Sequence, residues 1–259
     1  IRDMKAEKGS KALRILLTND DGIDAEGLHL LEELALGISQ DVTVVAPASN
    51  QSGTGRSISL HRDIDFHQRD KTHYSVGGTP ADCVMLALHL LYPDKKPDLI
   101  LSGINHGMNV ADDIGYSGTV GAAKEAAING IAGIALSQRF SKGRPDFTPV
   151  REAGKQVLEA AIDIVMPERT VLNINFPPAE FGRVKGIRAA HLDCHKFSDE
   201  VIAGDEPGSY RIGPMVMLEE VAENTDRWWL DRGYVSFTPL KMDMTAQNLL
   251  SQMPEKDFS

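Results

Sequence analysis

Short apolar runs alternate along the chain with stretches in which apolar residues recur every three or four positions. "RILLT" (14–18), "DVTVVAP" (41–47), "PDLILSG" (97–103), "GIAGIALS" (130–137) and "TVLNINFP" (170–177) are short and apolar and read as buried strands. "THYSVGG" (72–78) is a weaker strand and "GYVSFTPL" (233–240) a late one. Between them the period lengthens. "AEGLHLLEELALG" (25–37) sets Leu28, Leu31, Leu34 and Ala35 on one helical face and stops at Gly37. "TPADCVMLALHLLY" (79–92) opens with Thr79 as a cap, Pro80 at the first helical position and Asp82 three residues after the cap. "TVGAAKEAAING" (119–130) and "FTPVREAGKQVLEAAIDIV" (147–165) supply two further helices. Strand–helix alternation predicts an α/β fold, with a mostly parallel, doubly wound sheet covered on both faces. Residues 192–232 break the rhythm and read as an arm or hairpin outside the sheet.

In open α/β sheets, ligands bind beyond the carboxyl ends of the strands. Three of those ends carry unusual polar loops: "TNDDG", "APASNQSGTGRS" and "SGINHGMNVADDIGYSGT". Asp20 and Asp21 are adjacent carboxylates at a strand mouth, and each raises the other's pKa unless a positive charge intervenes. A hard dication is the simplest partner, since Mg²⁺ takes carboxylates, neutral oxygens and phosphate oxygens. Asn105 offers an amide oxygen and Ser52 a hydroxyl from the neighbouring loops. The plain alternative for Asp20-Asp21-Gly22 is a solvated turn. "GYSGTVGAAKEAA" leads a Gly-rich turn into a helix, a natural seat for phosphate, with Gly115 and Gly118 permitting close approach. Ser117 and Thr119 could donate hydroxyl hydrogen bonds there, or simply cap the helix. It is no Walker loop, since Lys124 lies inside the helix, and no nucleophile elbow.

Composition narrows the classes. A net charge of −10 argues against a nucleic-acid polymer as main partner. No run is apolar enough for a membrane helix, and two cysteines, of which Cys83 reads as core, make no disulfide framework. The cytoplasm is the expected compartment. The leading residues 1–13 are expected to form a flexible polar lead, to which the sequence assigns no function. His191, Cys194 and His195 lack a second pair at zinc-site spacing. Asp112-Asp113 reads as a solvated loop or a helix-dipole feature, and Trp228-Trp229 as an oligomer anchor or core. His106 could be an acid, an oxyanion donor or a bystander.

"ILLTNDDGIDAEGL", "VVAPASNQSGTGRSISL", "GGTPADCVMLAL", "DLILSGINHGMNVADDIGYSGTVGAAKEA" and "GYVSFTPL" together closely resemble the SurE family of stationary-phase survival phosphatases, which act as 5′/3′-nucleotidases. The resemblance runs in order from about residue 14 to 240. It implies a Rossmann-like three-layer core over 14–191 and a C-terminal extension over 192–259, exchanged between subunits of a homodimer or homotetramer. It implies one divalent ion per subunit, Mg²⁺ or Mn²⁺, on Asp20, Asp21, Ser52 and Asn105, with Asp20 and Asn105 catalytic. Phosphate contacts are implied at Asn19, Gly53, Gly107, Ser117, Gly118 and Thr119, with nucleoside monophosphates as substrates. A haloacid-dehalogenase-like phosphatase would need Asp-x-Asp where these aspartates are adjacent. A nucleotide-binding stress module without turnover is the alternative from another class.

Overall fold

The computed structural model describes residues 13–140, 145–194, 196–217 and 220–256, the side chains of 196–199 and 214–217 excepted. His195 and residues 1–12 lie outside them. The elements are β1 (Arg14–Thr18), α1 (Glu26–Leu36), β2 (Asp41–Pro47), β3 (Phe66–Gln68), β4 (His73–Val76), α2 (Pro80–Leu90), β5 (Leu99–His106) and α3 (Gly118–Ile128). Then come β6 (Ala132–Gln138), α4 (Thr148–Ile162), β7 (Thr170–Phe176), β8 (Ile187–Ala189), β9 (Lys196–Ala203), β10 (Tyr210–Met217), α5 (Asp226–Leu230), β11 (Val235–Lys241) and α6 (Gln247–Leu250).

Nine strands form one sheet in the order β3-β4-β2-β1-β5-β6-β7-β11-β8. From β4 to β7 all neighbours are parallel, whereas β3 runs antiparallel to β4, and β11 to β7. The chain starts in the middle, winds outward through β2 and β4, then returns beside β1 as β5 and winds the other way. The sheet is therefore doubly wound, with its switch point between β1 and β5.

Alternation within each strand divides two cores. Ile15, Leu17, Leu99 and Leu101 face α1 and α4, where Leu28, Leu31, Val150 and Leu158 are buried. Leu16, Ile100 and Val45 face α2 and α3, packing with Cys83, Val84 and Ala122. Thr79 and Asp82 form the expected reciprocal cap of α2.

The differences from the sequence reading are local. β5 runs on to His106 because, past an irregularity after Ser102, it re-pairs with β6 at Asn105↔Ser137 and His106↔Gln138. The short strands β3 and β8 were not legible. In 192–232, β9 and β10 do form an antiparallel hairpin outside the main sheet. Residues 226–230, however, return to the body as α5, where Leu230 is buried against Val110 and Ala111. Among the described residues no helix is long and apolar enough to cross a membrane.

Candidate active site

The parallel register pairs Thr18 of β1 with Ser102 of β5, so the residues following each strand emerge side by side. The backbone N–H of His106 donates to Asp21 Oδ2 at 2.9 Å. The Gln51 N–H donates to the Asp20 carbonyl oxygen at 2.7 Å, drawing in the loop after β2. The Thr119 hydroxyl donates to Asp20 Oδ1 at 2.6 Å, which adds the N-terminus of α3. Three strand-end loops and one helix start thus converge on two carboxylates.

Close approach at the helix start requires glycine. A methyl group built at Gly118 would lie 2.8 Å from Cβ of Asp20. One turn along, at Gly121, it would lie 2.4 Å from the Gly55 carbonyl oxygen. Helix α3 is therefore pressed against both the Asp20 turn and the Ser52 loop.

The carboxylates are poorly compensated. The Asp20 residue is 3% exposed, and the Asp21 side chain 6%. Burial pushes Asp20 up to about 6; the Thr119 hydrogen bond opposes this and the neighbouring Asp21 charge adds to it. Burial likewise raises Asp21, against the His106 N–H and imidazole. Among the described residues no Lys or Arg pairs with either, and the nearest cationic candidate is His106 Nδ1, 3.9 Å from Asp21 Oδ1. Nor do the described residues hold a group of three or more His, Cys, Asp or Glu suited to a metal. Two desolvated carboxylates among neutral oxygens fit a hard dication and not zinc.

The other expected residues take distinct places. Asn105 donates its amide nitrogen to the Gly107 carbonyl at 3.0 Å, leaving Oδ1 as its acceptor end. Gly107 is held by its own N–H on the Gln138 carbonyl at 3.0 Å. Asn19 is fully buried; its Nδ2 donates to Gly22 across the turn, while its Oδ1 has no hydrogen-bond partner. Ser52 is exposed, one residue past Gln51, and its hydroxyl bonds neither carboxylate. Gly53, at φ +80°, stands in open space. Ser117 caps α3 by accepting from the Val120 N–H at 3.0 Å. With the Thr119 hydroxyl and N–H on Asp20 and the Val120 N–H on Ser117, what the turn offers a ligand is chiefly the Gly118 N–H, which has no carbonyl to bond within the helix. Asp113 and its neighbour Asp112 begin a short 3₁₀ helix, Ala111–Gly115.

A set of positioning residues escaped the sequence reading. Asn109 donates its N–H to Asn175 Oδ1 at 2.7 Å and its Nδ2 to Ser137 Oγ at 2.8 Å; its carbonyl accepts from both Asn173 and Asn175. Asp226 accepts from the N–H groups of Ala111, Asp193 and Arg227. These bonds pin the loop between Asn105 and Ser117 to β6, β7 and α5. The available signal was Asn173 and Asn175, two polar residues on one face of an apolar strand.

Comparison with known proteins identifies the family. The family model described as Survival protein SurE matches residues 15–199. The 5′-nucleotidase SurE of Erythrobacter litoralis is 44% identical over 250 residues, covering 94% of this chain and 99% of that one. That of Rhodopseudomonas palustris is 41% identical over 244 residues, 90% and 95% of the two chains. The crystal structure of the SurE protein from Aquifex aeolicus superposes with a TM-score of 0.79 at 35% identity, over 93% of this chain and 98% of that one. The chain belongs to the SurE family.

Proposed function

We propose that the chain is a metal-dependent phosphomonoesterase that hydrolyses nucleoside 5′-monophosphates to nucleoside and phosphate. The observation that carries this reading is the buried, uncompensated Asp20–Asp21 pair facing the N-terminus of α3. The relatives' 5′-nucleotidase activity supports it.

Asp20, Asp21, Asn105 and Ser52 would hold one Mg²⁺ or Mn²⁺ ion. Bound there, the ion supplies Lewis acidity toward phosphoryl oxygens. The chain's own residues do the rest. The Gly118 N–H at the start of α3 binds the phosphate, where the helix dipole favours negative charge. Thr119 holds Asp20 in one rotamer, and the His106 N–H does the same for Asp21. Burial of both carboxylates excludes bulk water and strengthens their fields on the reacting group. Asp20 orients the attacking water; the competing route makes Asp20 itself the nucleophile. Quenching a single turnover with hydroxylamine separates the two, because an aspartyl-phosphate is trapped at Asp20 as the hydroxamate and the water route leaves none.

Phosphate release from adenosine 5′-monophosphate, with and without EDTA, tests the function. Metal-dependent release supports it, whereas nucleotide binding without release points to a binding module. The cytoplasm is the proposed setting, in keeping with two free cysteines. We further propose a homodimer or homotetramer joined through the hairpin. Val201, Ala203, Tyr210 and Ile212 share one of its faces, and Tyr210 and Ile212 are 71% and 83% exposed. An apolar two-stranded face of that kind needs a cover. Light scattering should show a smaller species for Ile212→Asp.

A further inference from the structure

This inference rests on the nucleotidase reading and concerns what the leaving group touches. His106 ends β5, directly after the candidate ligand Asn105. Its main-chain bond to Asp21 fixes where its side chain starts. The imidazole then borders the carboxylate pair, with Nδ1 3.9 Å from Asp21 Oδ1, and 32% of the side chain stays exposed. Two phenyl rings support it. Phe147 lies 5.4 Å away between centroids at an angle of 59°, and Phe140 6.1 Å away at 68°. The phenyl rings meet edge to face at 5.4 Å. Phe147 is itself buried against α1, where a methyl group at Gly27 would lie 3.3 Å from Cζ. A ring held in this way has its orientation set in advance and loses little freedom when another ring settles on it.

We propose that the imidazole face of His106 is the platform on which the base of the nucleotide stacks, with Phe140 and Phe147 as its buttress. The phosphate is anchored at the carboxylate pair and the α3 N-terminus, and His106 is an aromatic surface attached directly to the carboxylate side of that anchor, as Tyr116 is to its helix side. Every base has a π-face, so stacking tolerates sequence. The platform therefore discriminates weakly among bases and strongly against esters that lack one.

The test compares adenosine 5′-monophosphate with ribose 5-phosphate, the same ester without its base, in steady-state kinetics of the full chain with Mg²⁺ or Mn²⁺. His106→Ala should raise KM for the nucleotide about tenfold and leave ribose 5-phosphate within about twofold. His106→Phe should restore the nucleotide, and His106→Asn should behave like the alanine variant. Equal losses on both substrates, or rescue by asparagine and not by phenylalanine, would mean that the imidazole works through its nitrogens, and would overturn the platform. Should the alanine variant melt early, the phenylalanine and asparagine variants still decide. Binding of adenosine alone, by calorimetry, gives a reading without turnover; equal affinity of wild type and His106→Asn overturns the platform. Wild-type chain that releases phosphate from neither ester removes the nucleotidase reading, and adenosine binding still judges the platform.

Discussion

Asp20 and Asp226 are both almost wholly buried, and burial raises the pKa of each. Their surroundings differ. Asp226 receives three backbone N–H groups, from Ala111, Asp193 and Arg227, and so joins a loop, the segment after β8 and a helix. Asp20 is met by one residue, Thr119, through its hydroxyl and its N–H; each aspartate also has an acid nearby, Asp21 and Asp193 respectively. A carboxylate surrounded by donors is a fastener. One whose partner stands at the start of a helix and whose paired acid meets no Lys or Arg among the described residues is a receptacle, and the missing positive charge is the ligand's to bring.

The largest effect is expected at the receptacle. Asp20→Asn should lower kcat/KM by about a hundredfold or more, the scale of removing one oriented charge from a phosphoryl site. The same variant should be no less stable than wild type in EDTA. The sign follows from Asp20 binding its proton more tightly when folded: stability falls as pH rises from 3.8 toward about 6. Thermal melts in EDTA across that window should show the fall in wild type and not in Asp20→Asn. Added Mn²⁺ should recover it in wild type alone.

Asp226→Ala should do the reverse. Three stranded N–H groups cost about 2–3 kcal/mol of stability by denaturant titration. Specific activity of the folded fraction should change far less than in Asp20→Asn, and a hundredfold loss there would erase the distinction between the two aspartates. Next come Asn105→Ala and Ser52→Ala, each about tenfold in kcat/KM, since a neutral ligand contributes less than a charge.

The smallest effect sets a baseline outside both regions. His73 stands between Asp70 and Glu32, at 2.9 and 3.0 Å. Burial disfavours its charge, but the two carboxylates prevail and raise its pKa above 6.5. The stability it contributes is full below that value and is lost as pH rises through the folded pKa. His73→Gln should flatten that slope, a change of about one degree in Tm for so open a pair.

What could be read from the sequence was local. Helix α2 announced itself through Thr79, Pro80 and Asp82, all within one turn. Asp20 and Asp21 stood out because adjacent acids after a buried strand have no packing reason to be there. Asp226 could not be read, since its partner Ala111 lies 115 residues away and its neighbours resemble any helix start. Asn109 depends on Asn173 and Asn175, a pairing that exists only once β7 lies next but one to β5. The extension of β5 to His106 depends on re-pairing with β6 after Ser102, which no periodicity records.

The contact between Gly121 and Gly55 has a mechanical consequence. It welds the far end of the Ser52 loop to the helix that receives phosphate, while Gln51, at the near end, is tied to the Asp20 carbonyl oxygen. Ser52 therefore rides on a short span anchored at both ends. The hydroxyl proposed for the ion and the helix start proposed for phosphate thereby share one foundation, and a shift in either carries the other with it.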